Sequence, residues 1–192
     1  MHDGWWAYSY YTDCRHALSG AHLLRELIYF SEMDEERKGW AAPIGELLLE
    51  MKREVEQVKE AGGDRLSADR LTELRTSYEW LVEEGLKANQ PPEVPDPVGK
   101  QARSLLLRLE RRKAEVLCLM TDLRVPFDNN QAERELRMIK LRQKMSGCFR
   151  TVEGARQCCR IRSYLSTMRK QGRGALKALE RACAGGPLKP TS

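Results

Sequence analysis

Glu133 is followed at four, seven and eleven residues by Arg137, Lys140 and Lys144. On an α-helix these four side chains fall on one stripe. An acid at a helix start with cations further along suits a metal-dependent enzyme that works on a phosphate backbone. Carboxylate oxygens hold a hard cation, and the ammonium and guanidinium groups hold phosphates. A plain charged helix face has the same spacing. If Asn130 is the N-cap, Glu133 is the N3 acid of a capping box, and Glu133 with Arg137 is an i,i+4 pair worth a few tenths of a kcal/mol. On spacing alone the plain face is the commoner case, since solvated charged faces abound.

The element that must carry this stripe is the run FDNNQAERELRMIKL, Phe127 to Leu141. Asp128, Asn129 and Asn130 are all good N-cap residues, because their side-chain oxygens accept the unpaired N–H groups of a first turn. Ser146-Gly147 breaks the helix, and a loop with Phe149 and Arg150 follows. Thr151 caps a further helix with Ala155, Cys158, Cys159, Ile161, Tyr164, Leu165 and Met168 as apolar positions and arginines largely around its other face. Gly172 and Gly174 end it, a short helix follows at Ala175–Cys183, and the tail 185–192 is expected to be disordered.

Upstream, 35–122 reads as a helical insertion. Gly39–Glu60 carries Ile44, Leu47, Leu48, Met51, Val55 and Val58 on one stripe, and Gly62-Gly63 stops it. Ser67 caps a second helix with Leu71, Leu74, Tyr78, Leu81, Val82 and Leu86. The proline-rich stretch from Gln90 to Pro97 is a stiff link. A third helix runs from Val98 through Leu105, Leu106, Leu109, Val116 and Leu119. Shared apolar faces argue for a bundle, with a coiled-coil partner surface as the alternative. At the start of the chain, Trp5, Trp6, Tyr8, Tyr10 and Tyr11 are expected to pack inward. A base-stacking platform is the alternative, disfavoured because it also needs interleaved cations and this stretch has none. At most a short strand near 15–19 precedes an amphipathic helix after Gly20 with Leu23, Leu24, Leu27, Ile28 and Phe30.

Composition narrows the class. Residues 1–126 carry 18 Lys+Arg against 23 Asp+Glu, a net of −5, whereas residues 127–192 carry 15 against 5, a net of +10. A basic terminal third is an electrostatic footprint for nucleic acid. The six cysteines form no CxxC pair, which disfavours a zinc site and leaves the thiols free in a reducing compartment. No apolar run approaches the roughly 18 residues of a membrane span, and no leader is evident, so a cytoplasmic location and no membrane partner are expected. No Ser/His/Asp set or phosphate-binding glycine loop stands out.

DNNQAERELRMIK with SGCFRTVEGARQCCRIRSYLSTMRKQG resembles the C-terminal catalytic segment of transposases of the insertion sequence 66 family. HDGWWAYSYY with RHALSGAHLLREL resembles an earlier block of the same family. The most specific part is Asp-Asn-Asn-x-Ala-Glu-Arg at Asp128 to Arg134. The resemblance implies metal-dependent DNA cleavage and strand transfer by two Asp and one Glu on an RNase H-like fold. By position, Asp3 matches the second catalytic Asp and Glu133 the catalytic Glu, and both would be ligands of Mg²⁺ or Mn²⁺. The first Asp has no counterpart here. The chain is therefore expected to be the C-terminal portion of such a transposase, inactive in isolation, with a non-catalytic DNA-binding or regulatory remnant as the alternative. Arg134, Arg137, Lys140, Arg142, Lys144 and Arg150 would hold the backbone of transposon-end and target DNA without reading sequence. His22 and Arg25 would lie near the active centre, and Ser19 stands where the family has a Cys. A homo-oligomer or an upstream transposase fragment is the other expected partner. The expected architecture is mostly α: remnants of the catalytic domain at 1–34 and 123–184 flanking the helical insertion bundle.

Overall fold

The computed structural model describes residues 1–33, 38–91, 94 and 96–190, and of Lys38, Glu135, Arg142 and Ser146 only the backbone. The fold is mostly α, as expected. Its α-helices are α1 (Gly20–Met33), α2 (Lys38–Glu60), α3 (Ala68–Ala88), α4 (Pro97–Arg111), α5 (Lys113–Val116), α6 (Cys118–Thr121), α7 (Asn130–Ser146), α8 (Val152–Lys170) and α9 (Ala175–Cys183). A 3-10 helix, Trp6–Tyr10, precedes them. The chain divides into two compact units, Met1–Asn129 and Asn130–Ser192.

In the first unit α1 packs on α2, α2 on α3 and α3 on α4. Periodicity explains the core. Ile44, Leu47, Leu48, Met51 and Val55 of α2 are buried, as are Leu74, Tyr78 and Val82 of α3 and Ala102, Leu105, Leu106 and Leu109 of α4. Leu23, Leu27 and Phe30 of α1 join the same core. The predicted stops and caps are in place. Gly62 takes φ +74°, Gly63 N donates to Val58 O at 2.8 Å, and Ser67 Oγ accepts from Arg70 N at 3.3 Å. Asp96 caps α4 through the N–H groups of Val98 and Gly99. Tyr78 Oη donates to Leu109 O at 3.1 Å, and burial pushes the phenol's pKa up.

Two expectations are corrected. The third helix does not run unbroken to Leu119. It bends at Arg112 and again at Leu117, giving α4, α5 and α6. Val116 to Met120 are five consecutive buried residues, and a straight helix turning about 100° per residue cannot put all five on one side. The aromatic start does not pack inward either. Trp5, Trp6, Tyr10 and Tyr11 are 59–73% exposed. In the tight 3-10 turn, Tyr8 faces the His2 ring at 4.7 Å while its neighbours are turned outward. The strand near 15–19 reduces to one parallel bridge between His2 and Leu18, and the described residues hold no longer strand.

In the second unit α8 packs on α9, burying Met168 and Ala178. Thr151 Oγ1 accepts from Gly154 N at 3.0 Å, the expected cap, and Gly147 takes φ +74° after α7. The tail expected to be disordered makes two hydrogen bonds. Leu188 N donates to Tyr164 Oη, and Arg173 donates to Lys189 O. Residues 191 and 192 lie outside the described residues.

Candidate functional site

Asp3 projects from a segment that is anchored on both sides of it. His2 N donates to Ala17 O and Ser19 N donates to His2 O, each at 3.0 Å. Gly4, at φ +94°, turns the chain away, and Arg112 Nη1 donates to Gly4 O at 3.2 Å. Asp3 itself is exposed. Its Oδ1 accepts from Trp5 N at 3.0 Å, and no described residue is bonded to Oδ2.

The neighbouring His2 is 4% exposed. Gly4 N lies 3.1 Å from its Nδ1, so Nδ1 is the acceptor and Nε2 carries the proton of the neutral ring. That proton is given to His16 Nδ1 at 3.2 Å, and His16 Nε2 in turn reaches Tyr11 O at 2.7 Å. Burial first, and then the Arg112 guanidinium, lowers the His2 pKa, which favours this neutral relay.

The start of α1 gathers the other residues singled out in the first unit. Ser19 is 1% exposed and its Oγ lies 3.0 Å from His22 Nδ1, whereas Arg25 is exposed. Gly20 N donates to Phe127 O at 2.8 Å. A Cβ on Gly20 would meet the Phe127 ring at 2.4 Å, so only glycine lets the two segments approach this closely. Lys52 Nζ stands 5.6 Å from the centre of the same ring. The first unit thus brings together His2, Ser19, His22 and the Phe127 segment that leads into the Asp-Asn-Asn motif. Neither the glycine contact nor the histidine relay was found from the sequence. A glycine at a helix start was the only signal for the first, and two histidines fourteen residues apart for the second.

Glu133 lies in the first turn of α7 and is half-buried. Arg137, Lys140 and Lys144 are exposed along the stripe that it starts. Arg134 is exposed about 100° around the helix from Glu133, with Nε donating to Asn130 O at 3.4 Å. Arg150 is exposed after the Gly147 turn, and the Arg142 side chain lies outside the described residues. Asp3 and Glu133 belong to different units. Both are hard oxygen donors of the kind Mg²⁺ takes, so the donor chemistry fits that ion. Among the described residues no three His, Cys, Asp or Glu side chains converge as a ready metal cage. No helix among them is long and apolar enough to cross a membrane.

A family model described as Transposase IS66 family matches residues 1–157. The chain belongs to that family. No curated protein and no solved structure matches the chain.

Proposed function

We propose that this chain takes part in metal-dependent DNA cleavage and strand transfer, with Asp3 and Glu133 as two of the carboxylates of an RNase H-like active centre. In this reading 1–34 and 123–184 are the catalytic and DNA-contacting parts, 35–122 is a helical insertion, and the chain acts on DNA in the cytoplasm. Asp3 and Glu133 would hold Mg²⁺ or Mn²⁺. When bound, such ions stabilise the charge that develops on the attacking and leaving oxygens of a phosphodiester. The protein's own part is to hold Asp3 on an anchored segment, to carry Glu133 in the first turn of α7 and to fix the DNA backbone. Arg134, Arg137, Lys140, Arg142, Lys144 and Arg150 do the latter through phosphate contacts, which set register without reading bases.

The observation that supports the reading is α7. The family motif opens this helix, Glu133 sits in its first turn, and Arg137, Lys140 and Lys144 are presented to solvent on one stripe. The test is nicking and strand transfer in Mg²⁺ by the chain alone and mixed with a fragment that supplies the family's first Asp. Glu133→Gln is expected to abolish strand transfer while DNA binding stays within about twofold, since it removes a metal ligand and no phosphate contact. Unchanged activity with only a lowered melting temperature would make Glu133 a capping residue and end the assignment. DNA binding with no strand transfer in either mixture would favour the regulatory alternative.

A further inference from the structure

The first unit carries a second basic surface, although its net charge is negative. The residues of α4 that line one groove are Lys100, Arg103, Ser104, Leu107, Arg108 and Arg111, a repeat of three and four residues, and Gln101 and Glu110 are exposed elsewhere on the helix. With Pro91, Val94, Asp96, Pro97 and Arg112 they line a groove of about 1090 Å³. Some of its cations are already engaged. Arg103 donates to Asn89 O at 2.7 Å, Arg108 to Glu26 at 2.6 Å, and Arg112 to Glu115. Lys100 and Arg111 have no carboxylate partner among the described residues, and Arg108 Nε is a buried donor with no acceptor. The one described carboxylate in the lining, Asp96, already accepts the two N–H groups that it caps.

One lining residue reaches the segment that carries the exposed rings. Arg112 lines the groove and donates to the carbonyl of Gly4, one residue from Trp5. Trp5 and Trp6 stand edge to face at 6.3 Å, and Trp6 and Tyr10 at 5.5 Å, so their outer faces are open to solvent. Arg112 thus ties the basic groove to the backbone of the aromatic stretch, which carries no cation of its own. A positively charged track beside exposed aromatic rings is what binding of a single strand requires: phosphates lie on the cations, and unpaired bases stack on the rings. Duplex DNA offers phosphates but keeps its bases stacked inside.

We propose that the α4 groove and the Trp5–Trp6–Tyr10 cluster form a binding track for unpaired, single-stranded DNA that leads to Asp3. Lys100 to Arg112 spans about 18 Å of helix axis, enough for a few nucleotides. Asp3 is joined to the stacking cluster directly, because its Oδ1 takes the Trp5 N–H. The track rests on the DNA reading above but uses none of the α7 residues.

The test uses the whole chain, with a labelled dT20 oligonucleotide, a 20-base-pair duplex and polyglutamate as probes, read by anisotropy and by quenching of tryptophan fluorescence. The wild type is expected to bind dT20 with quenching. Trp5→Ala with Trp6→Ala should weaken dT20 binding about tenfold or more and change duplex binding by less than twofold. Trp5→Phe with Trp6→Phe keeps the stacking faces and should restore most of the affinity. Lys100→Glu with Arg111→Glu should weaken dT20 binding and flatten its salt dependence. All four side chains are exposed, so an unchanged melting temperature certifies each variant. Unchanged dT20 binding in both the tryptophan and the charge variants overturns the track. So does displacement of dT20 by polyglutamate at equal charge, which would make the groove an acidic-peptide site. Duplex binding that is lost only with Arg137, Lys140 and Lys144 leaves the proposed function standing even then.

Discussion

Gly20→Ala tests whether the start of α1 rests on the Phe127 ring as the structure has it. The added Cβ would lie 2.4, 2.5 and 2.8 Å from three atoms of the Phe127 ring, where ordinary contact is about 3.5–4 Å. Either the ring swings out or α1 shifts by about 1 Å. Overpacking of this kind costs about 1–3 kcal/mol. Alanine in place of glycine near a helix start returns about 0.5–1 kcal/mol through helix propensity and the less flexible unfolded chain. The net expectation is a loss of about 1–2 kcal/mol. Urea unfolding followed through Trp40, which is 5% exposed in the core of the first unit, measures it. The decisive control is the same substitution in a Phe127→Ala background, where the obstacle is gone. There Gly20→Ala should be neutral or stabilising, giving a coupling of about 2 kcal/mol between the two sites. An equal loss in both backgrounds, or none in the wild type, would mean that the ring does not rest on Gly20.

Other outcomes follow from single contacts. Replacing Arg137, Lys140 and Lys144 by Ala should lower the slope of log binding constant against log salt for duplex DNA by about 2–3 units, and an unchanged slope would remove the stripe from the interface. Tyr78→Phe should cost about 1–2 kcal/mol in a urea melt, because Leu109 O loses its buried donor. Asp122 accepts from the backbone and the guanidinium of Arg124, which hold its carboxyl down to about 2. Its contribution to stability is present above the ordinary value of 3.8 and is lost as pH falls through about 2. An NMR titration of Arg124→Ala should show the Asp122 midpoint moving back up, and a midpoint that stays near 2 would assign the depression to another group.

Much of the helical pattern was legible because one-dimensional rules suffice for it. The α2 stripe, the Gly62 stop, the Ser67 cap and the Thr151 cap depend on residues within one or two turns of each other. The breaks at Arg112 and Leu117 were not legible, because Val116 and Leu119 fit a helical period equally well with or without a bend. What decides is that Leu117, Cys118 and Met120 are buried as well, which is a demand of the tertiary core. The aromatic start failed for a related reason. Five large rings in seven positions look like core, but two hydrogen-bonded neighbours, His2 and Gly4, fix the backbone and leave most of the rings outside.

That failure bears on how the proposed metal ligand Asp3 is held. Asp3 is exposed because the work of anchoring falls to its neighbours: His2 through its backbone and buried ring, and Gly4 through its positive φ and its carbonyl on Arg112. The carboxylate is then free of structural duty apart from one turn-closing bond to Trp5 N. Glu133 is held differently. It rides on a seventeen-residue helix with no buried residue among its described side chains, so burial of an apolar face contributes little to that helix. A helix of this length is marginal in water on propensity alone, and three like charges on one stripe repel each other. A phosphate backbone laid along Arg137, Lys140 and Lys144 would replace that repulsion with attraction. On this view the DNA that α7 is proposed to hold also stabilises α7, and the geometry of Glu133 is completed by substrate, whereas the geometry of Asp3 is set by the fold.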